Sequence, residues 1–398
     1  MKGKRCFWTF IGIGMLLMGL VTSCDSSRSL AVDSPLETPG AGDMTRMTDE
    51  KAVLAIDLGW GNPQATPLPY RGVGLDEPRH IVPTMQDEEP IVSLVPIGIT
   101  DDLVIANALF TPPPRTVEEV PEVLEHARGS LVTVDLMSGQ VRMLRENIGG
   151  HSTDGQYVVW QASQTIDDQY IAQVHVYDLQ QDHEFQLGER SCNQPDVSDG
   201  VVVWQESRGE GWHIYGQVLA SKHEFIVADW SRSFAVPHIS GEWVIYLQVG
   251  NGAASLHAHN IETQEDLALG MVPHENNAFA GRFHAIGSGW VAWIEKETRQ
   301  MHTYNLDTRQ EQILTELPAG CDRPGAPMLS GDTLVFGCHN QLMGYDLNRD
   351  VLFSIPLFPP GDQESTLNSG IILSGDRLVW SLTLDGEQRI YTAQIVRE

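Results

Sequence analysis

The chain has 398 residues, of which 41% are hydrophobic and 20% are charged. This composition excludes a wholly disordered protein and supplies enough apolar residues for one large domain or two small ones. Acidic residues number 53 and basic residues 25, so the formal net charge is −28. Because such a surface repels the phosphate backbone, DNA and RNA are excluded as partners.

The first 23 residues have the features of an export leader. Basic residues precede an apolar run of 16 residues, and small residues follow immediately before Cys24. This ending resembles the lipobox of bacterial lipoproteins, in which the cysteine becomes the lipidated first residue. We expect residues 1–23 to be a lipoprotein signal peptide and Cys24 to anchor the chain to a cell membrane, on its periplasmic or outer surface. An ordinary signal peptide cut nearby and an uncleaved helix are the alternatives.

Residues 24–50 are rich in Ser, Thr, Pro, Gly and Asp and lack an apolar period. Such a segment cannot bury enough surface to offset the entropy of ordering, so it predicts a flexible tether behind the lipidated Cys24. Short β-type runs between Pro and Gly begin within residues 51–95. We treat residues 51–95 as a separate N-terminal segment.

Seven copies of a short pattern follow, each with an apolar residue, a turn of Ser, Asp or Gly and a β-branched run. The copies read ITDDLVIA, STDGQYVVW, VSDGVVVW, ISGEWVIY, IGSGWVAW, LSGDTLVF and LSGDRLVW. They end at Ala106, Trp160, Trp204, Tyr246, Trp293, Phe336 and Trp380, at spacings of 54, 44, 42, 47, 43 and 44 residues. A near-constant period of this length indicates a repeat architecture.

Each copy predicts a β-hairpin, because a tight turn separates two runs of alternating residues. A second hairpin follows in each repeat, with Asp or Asn at one equivalent place: Asp135, Asp178, Asn260, Asn305 and Asp346. Two hairpins in some forty residues make four strands, which is the blade of a β-propeller.

The chain ends one strand short of a complete seventh blade, after the run RIYTAQIVRE. We therefore predict an all-β, seven-bladed β-propeller of four-stranded antiparallel blades over residues 96–398, with its last blade closed by a strand from residues 51–95. Closure removes exposed sheet edges, which disfavours an open β-stack. Frequent Gly and Pro exclude a helical solenoid. The alternative that residues 52–95 form an additional blade is left open.

The segment Cys192–Leu219 resembles the TolB-like propeller repeat of exported bacterial and archaeal proteins. It has a Pro before the first strand, a Ser-Asp-Gly turn, a Val-Val-Trp run, an acidic loop with Arg and an Ile-Tyr start of the next strand. The resemblance covers about residues 96–398. It implies the propeller fold and export from the cytoplasm, and it does not imply an activity.

Linear signatures of catalysis are absent from the sequence, including a nucleophile elbow, a phosphate-binding loop and a zinc-protease motif. His257 and His259 alternate on one strand face, but no third ligand with fixed spacing accompanies them, so a solvated face is the expectation. His151 and His284 fall where other copies carry Pro, which predicts either a polar channel mouth or a neutral exchange. We expect no metal site and no cofactor.

Three cysteines follow Cys24 in the chain. Cys321 precedes the first strand of the sixth copy and Cys338 ends the second strand, so an oxidising compartment permits a disulfide between them. In strict register Cys338 faces Gly325, and the intervening loop must fold back. Two buried thiols are the alternative. Cys192 is left unpaired.

The first copy carries an insertion, TPPPRTVEEVPEVLEHARGS, which accounts for the spacing of 54 residues. Loops on a rigid scaffold carry function disproportionately. As a partner contact the insertion would present Glu118, Glu119, Glu122 and Glu125 to a basic surface. A tolerated surface insertion is the alternative.

These observations favour a lipid-anchored, extracytoplasmic propeller that acts as a protein- or glycan-binding platform in the cell envelope. The alternative is a carbohydrate-active enzyme, a polysaccharide lyase or glycosidase, with its site at the channel mouth, since such sites leave no linear motif. A mainly structural envelope protein is a third possibility.

Overall fold

The computed structural model describes most of the chain between residues 73 and 397. The leader, Cys24 and the tether lie outside the described residues. Between residues 73 and 397, the following segments also lie outside the described residues: 76–78, 85–90, 92, 101, 111–128, 147–151, 167–168, 189–190, 209–210, 231–235, 251–252, 274–282, 316, 318–320, 322–323, 339–340, 356–365 and 385–386. Within the described part of the chain, no helix is long and apolar enough to cross a membrane.

The described strands form seven antiparallel sheets, which confirms the predicted seven-bladed β-propeller. Blades 1 and 2 contain β3 (Ser93–Thr100), β4 (Leu103–Leu109), β5 (Gly129–Asp135), β6 (Val141–Glu146), β7 (Ser152–Thr153), β8 (Tyr157–Ile166), β9 (Gln169–Asp178) and β10 (His183–Leu187). Blades 3 and 4 contain β11 (Cys192–Ser198), β12 (Val201–Arg208), β13 (Gly211–Val218), β14 (His223–Trp230), β15 (His238–Ser240), β16 (Trp243–Gly250), β17 (Ala253–Asn260) and β18 (Asp266–Val272).

The remaining blades follow in the same order. Blades 5 and 6 contain β19 (His284–Gly287), β20 (Trp290–Ile294), β21 (Met301–Asn305), β22 (Gln310–Leu314), β23 (Pro324–Ser330), β24 (Thr333–Cys338), β25 (Gln341–Asp346) and β26 (Val351–Ile355). Blade 7 contains β27 (Thr366–Ser374), β28 (Arg377–Leu384) and β29 (Glu387–Arg397), together with β1 (Val73–Leu75) and β2 (Arg79–Ile81). The first strand of every blade lines a central channel, and the later strands follow outward.

Strands from the N-terminal segment close the seventh blade, as predicted. Two short strands do so in place of the single strand expected, because β1 and β2 each pair with a different part of β29. The first blade begins at Ser93, three residues before the expected boundary.

Tight turns join the first two strands of each blade. In blade 3 both central residues, Asp199 and Gly200, have positive φ values of 50° and 71°, which is the conformation of a type I′ turn and matches the twist of the strands. The positive φ at the third position of the predicted Ser-Asp-Gly turn explains its glycine, because glycine adopts this conformation without steric cost.

The equivalent Asp or Asn of the second hairpin caps its own turn. Asp178, for example, accepts bonds from the backbone N–H groups of Gln180 and Gln181 at 2.9 and 3.0 Å. The apolar residue after it, Leu179, donates its N–H to the carbonyl of Gln156 in the first turn at 2.9 Å. The same backbone bond recurs in all seven blades, with donors Leu136, Leu179, Leu219, Ile261, Leu306, Leu347 and Ile395. Both turns of a blade thus lie at one end of the ring, here named the turn face.

Six of the seven sequence copies end in an aromatic residue, and this residue packs between two blades. Trp204 is completely buried and joins Val159 and Val174 of blade 2 to the core of blade 3. Trp160, Tyr246, Trp293, Phe336 and Trp380 occupy the same place at the five other interfaces between consecutive blades. Truncation of a buried Phe or Trp to Ala lowers the free energy of unfolding by about 3–5 kcal/mol. Each of these interfaces depends on one such ring, which explains why an aromatic residue recurs at a near-constant spacing in the sequence.

The interface between blades 7 and 1 has Ala106 at the aromatic position. There Gly370 lies so close to blade 1 that an added Cβ would lie 2.7 Å from a methyl carbon of Val95. Ile81 also packs against this interface, and Thr84 exchanges backbone bonds of 2.8 and 2.9 Å with Gly139 and Val141 of blade 1. Residues 79–84, here named the strap, therefore bridge blade 7 and blade 1.

Arg397 at the end of β29 ties blade 7 to blade 6. Its guanidinium donates to Asp346 at 2.7 Å and to Asp332 at 2.8 Å, and it also contacts Asp376. Burial opposes the charged form, but hydrogen bonds to Asp376 and Asp346 outweigh it and raise the pKa of Arg397. The last strand is thereby held by three carboxylates.

We predict that Arg397→Gln lowers the free energy of unfolding by about 3 kcal/mol, because it leaves the buried carboxylate of Asp346 without its counter-charge. Thermal or urea unfolding measures the effect. Arg142→Gln removes the same charge from a side chain that is 67% exposed and lies 3.7 Å from Asp182, so it should cost less than about 0.5 kcal/mol. Equal losses in the two variants would contradict the role given to Arg397.

Candidate functional site in the axial channel

The channel holds a cavity of about 440 Å³ to which all seven blades contribute. Its wall on blades 2 to 5 contains all the ionisable lining residues, and its members are Thr153, Asp154, Asp196, His238, Ile239, His284, Ala285 and Ile286. Its wall on the other blades is mainly aliphatic, and its members are Ile97, Gly98, Ile99, Pro327, Met328, Leu329, Ile371, Ile372, Leu373 and Ser374. We name these two surfaces the polar wall and the aliphatic wall.

One register position around the ring supplies the central residues of the polar wall. Ser152, Asp196 and His238 each pair with the residue before the buried aromatic of their blade. Ala285, Met328, Ile372 and Gly98 occupy the same position in blades 5, 6, 7 and 1. This position therefore places Asp196 and His238 in the polar wall, and neighbouring positions add Thr153, Asp154 and His284.

Asp196 is the centre of the polar wall. Its Oδ1 accepts hydrogen bonds from the Ser152 hydroxyl and from the backbone N–H of Val197. Its Oδ2 accepts the backbone N–H of Ile239 at 3.0 Å and lies 3.3 Å from Nδ1 of His238. One carboxylate thus joins blades 2, 3 and 4.

Burial of Asp196 favours its neutral form, but hydrogen bonds from His238, Ser152 and the backbone of Ile239 outweigh burial and lower its pKa. Asp196 therefore stays ionised at neutral pH, and its charge is available to the cavity.

His238 and His284 meet edge to face, with ring centroids 5.2 Å apart. Nε2 of His284 lies 3.4 Å from the carbonyl of Val236. Nε2 of His238 is buried without a hydrogen-bond partner among the described residues. The two imidazoles form the blade 4 and blade 5 part of the polar wall.

Side chains at the turns also join neighbouring blades. Asp154 accepts the N–H of Gly200 from the next blade at 2.9 Å, and Ser198 accepts that of Gly241 at 3.2 Å. Equivalent bonds run from Ser288 to Ser240 and from Gly375 to Ser330. These inter-blade bonds explain the Ser and Asp of the repeated turn pattern.

The chemistry of the polar wall differs from that of a hydrolytic triad. In a triad the hydroxyl contacts the imidazole, which abstracts its proton. Here Asp196 lies between Ser152 and His238 and accepts from both. The arrangement can orient an imidazole and hold a negative charge, and it does not activate the Ser152 hydroxyl.

His284 lies in the channel. It occupies the same register position as Pro327, because each of the two residues pairs with the buried aromatic residue of its blade. This is the alignment that the sequence pattern indicates. Sequence reasoning missed Asp196 and His238. The only signal was their equivalent place, two residues before the Ser of the turn pattern and directly after Pro195 and Pro237, and that signal needs the register to become visible.

His257 and His259 share one carboxylate, that of Asp266, at 2.9 and 3.6 Å. His257 also stacks on Tyr246. The same stack of an aromatic ring, a histidine and an acid recurs in blades 2 and 5, as Trp160, His175 and Glu184 and as Trp293, His302 and Glu311. Within the described residues no group of three or more His, Cys, Asp or Glu is arranged to hold a metal ion.

The acidic loop with Arg in the TolB-like pattern is a structural cluster. Glu206 is completely buried, and it accepts bonds of 2.8 Å from the Trp204 indole and from Arg208. Arg208 also pairs with Glu224 at 2.6 Å and lies over the ring of Tyr215. This cluster stabilises blade 3 and faces away from the channel lining.

A disulfide joins Cys321 and Cys338, and Cys192 is a buried free cysteine. The register differs from the expectation, because a bulge between Pro324 and Pro327 places Pro324 opposite Cys338 in place of Gly325. This extra residue brings the loop back towards Cys338.

The other candidate residues, Cys24, His151 and the insertion carboxylates Glu118, Glu119, Glu122 and Glu125, lie outside the described residues. The residues on either side of segment 111–128 are described. Leu109 and Gly129 pair with each other, at the end of blade 1 opposite the turn face. We name this end of the ring the loop face.

Solved structures similar to this chain are β-propellers. The propeller domain of the Trilobed protease from Pyrococcus furiosus aligns with a TM-score of 0.52 and 10% identity, covering 77% of this chain and 98% of that domain. A prolyl endopeptidase aligns with a TM-score of 0.50 and 11% identity, covering 74% of this chain and 46% of the enzyme. TolB from Acinetobacter baumannii aligns with a TM-score of 0.37 and 12% identity, covering 68% of this chain and 77% of TolB.

At these identities the likeness shows the β-propeller fold alone. No protein-family model matches the chain, and no curated protein matches its sequence. Of what the resemblance to TolB-like proteins implied, these comparisons support the β-propeller fold.

We predict that alkylation in denaturant without reductant labels Cys192 and leaves Cys321 and Cys338 unmodified. In the folded protein Cys192 should react slowly, because burial and the nearby Glu206 raise its pKa to about 12. Peptide mass spectrometry measures the labelling. Replacing both Cys321 and Cys338 by Ser, which opens a loop of 17 residues, should cost about 3 kcal/mol. Labelling of all three cysteines without reductant would contradict the disulfide.

We predict that Asp196→Asn lowers the free energy of unfolding by about 1–3 kcal/mol at pH 7, because its carboxylate joins three blades. Its folded pKa is lowered, so its contribution is complete above the unfolded pKa of about 4 and is lost as pH falls through the folded pKa. Urea unfolding from pH 7 to pH 3 should therefore show the variant and the wild type converging. Asp229→Asn, at a side chain that is 79% exposed, is the control. A deficit that stays constant down to pH 3 would contradict the assignment.

Proposed function

We propose that this chain is a lipid-anchored, extracytoplasmic binding platform for a protein or glycan of the cell envelope, with the axial channel as its ligand site. The observation that carries the proposal is the lining of the channel, in which a polar wall faces an aliphatic wall across about 440 Å³. Small-molecule and side-chain sites commonly have this size and this mixed lining.

The ionised carboxylate of Asp196 favours binding over acid catalysis. A glycosidase needs one carboxyl group with a raised pKa to act as an acid, whereas the pKa of Asp196 is lowered. A lyase acting on uronic acids needs a cation to hold the substrate's carboxylate, and none of the described lining residues is Lys or Arg. The polar groups are also bonded to neighbouring blades, which keeps the site rigid and suits recognition.

Anchoring and tether length support a platform role. A chain lipidated at Cys24 would be followed by a tether of residues 24–50, whose mean end-to-end distance is about 30 Å if it is flexible. The propeller would then reach partners within a short distance of the membrane. Removal of the leader, which carries three basic and no acidic residues, would change the net charge from −28 to −31, and this charge would keep the protein away from anionic headgroups.

A carbohydrate-active enzyme is the second candidate, because Asp196 orients the imidazole of His238 as a carboxylate orients a general base. This function would require a substrate that enters the channel and reaches Nε2 of His238, which is buried. It predicts release of reducing ends or unsaturated sugars from an envelope polysaccharide.

Site-directed photo-cross-linking tests the platform. A benzophenone amino acid replaces Glu242 on the turn face, Glu297 on the loop face or, as control, Ile226, which is 52% exposed on an outermost strand. In living cells that carry the anchored protein, we expect one partner to form an adduct from one face only. Deletion of residues 111–128 tests whether the insertion contributes to that contact.

The Cys24→Ser form is the matched control for anchoring, and we expect it to leave the membrane fraction and to lose the adduct. Absence of a specific adduct from both faces of the anchored protein would contradict the platform. Cleavage of an envelope polysaccharide that is lost in His238→Gln would instead support the second candidate.

A further inference from the structure

The channel carries negative charge that its described lining leaves without a permanent counter-charge. Its ionisable lining residues are Asp154, Asp196, His238 and His284, and none of the described lining residues is Lys or Arg. The side chain of Asp196 is 14% exposed, so its field acts in surroundings of low polarity and is weakly screened. A cationic group is therefore the ligand that the polar wall attracts.

Asp154 has acceptor capacity left. Its Oδ1 accepts the backbone N–H groups of Gln156 and Tyr157 at 3.0 and 2.8 Å. Its Oδ2 accepts one bond, from Gly200 at 2.9 Å. Because each carboxylate oxygen has two acceptor sites, one site on Oδ2 stays available to a donor in the cavity.

The aliphatic wall restricts what else the ligand contains. It presents Ile, Leu and Met side chains and no aromatic ring among the described lining residues. A sugar ring gains from the flat π face of an aromatic side chain, which this wall lacks. Methylene groups, in contrast, bind well against branched aliphatic side chains.

Other classes of ligand fit less well. A bare metal ion would leave half of the cavity apolar, and the described residues offer no cluster of three metal-ligating side chains. An anion would be repelled by Asp154 and Asp196. A group with a cationic end and an aliphatic stem matches both walls, as a lysine side chain does when it buries its stem and keeps its head among polar groups.

We infer that the axial channel binds an alkylammonium group, with the ammonium on the polar wall near Asp154 and Asp196 and the methylene chain on the aliphatic wall. A lysine side chain of a partner protein and a free polyamine are the two sources of this chemistry. The inference deepens the proposed function and rests on it, since it names the ligand class of the same site.

Calorimetry on the purified protein tests this inference with defined probes. Nα-acetyl-lysine methylamide represents a peptide lysine, 1,5-diaminopentane represents a free polyamine, and Nα-acetyl-norleucine methylamide is the neutral control of similar shape. We expect at least one amine to bind about tenfold or more tightly than the norleucine probe, because only the amine can donate to Oδ2 of Asp154 and be attracted by the charge of Asp196. The stronger of the two amines identifies the source.

Two variants separate the channel from adventitious binding at an acidic surface. Met328→Lys places an ammonium on the aliphatic wall and should abolish amine binding, whereas Met328→Leu keeps the wall aliphatic and should retain it within about twofold. Asp154→Asn should weaken the amine about tenfold. Circular dichroism and thermal unfolding establish that each variant is folded.

Equal binding of the lysine and norleucine probes, binding of neither amine at millimolar concentration, or undiminished amine binding in a folded Met328→Lys variant would overturn the inference. Those results leave the platform intact if a cross-link from Glu242 or Glu297 still captures a partner. Loss of every cross-link would instead contradict the proposed function itself.

Discussion

The packing of one aromatic ring between each pair of consecutive blades is the interaction on which the rest of this structure depends. Trp204 and its equivalents are buried among residues of two blades, so no blade completes its core alone. The ring of blades must close for every face to be covered. At the interface of blades 7 and 1 the small Ala106 replaces the aromatic, and the strap of residues 79–84 supplies the bridging contacts.

Closure creates the channel and also determines its chemistry. Seven first strands converge on the axis in equivalent register, so one position per repeat supplies Asp196 and His238 to the cavity. The same position in blade 2 is Ser152, and the carboxylate of Asp196 joins three blades. The same carboxylate therefore stabilises the ring and places a negative charge in the channel.

Much of the fold follows from local sequence. The spacing of the aromatic residues, the Gly of the first turn and the Asp or Asn of the second turn each have a local physical cause, and they predict blades and closure. The site is harder to predict, because Asp196 and His284 are 88 residues apart in the sequence and line one cavity only through the register of separate blades. The bulge at Pro324 likewise shifts the partner of Cys338 by one residue, which alternation alone does not reveal.

Native-state hydrogen exchange measures the central claim, that the seven blades form one closed ring. If the strap and β29 close the ring as tightly as the aromatic residues join the other blades, amides of β28 and β29 should exchange only by global unfolding. Their opening free energies should then equal those of β12 and β16. Opening free energies several kcal/mol lower in β28 and β29, with β12 and β16 still protected, would contradict the closed ring and the channel that depends on it.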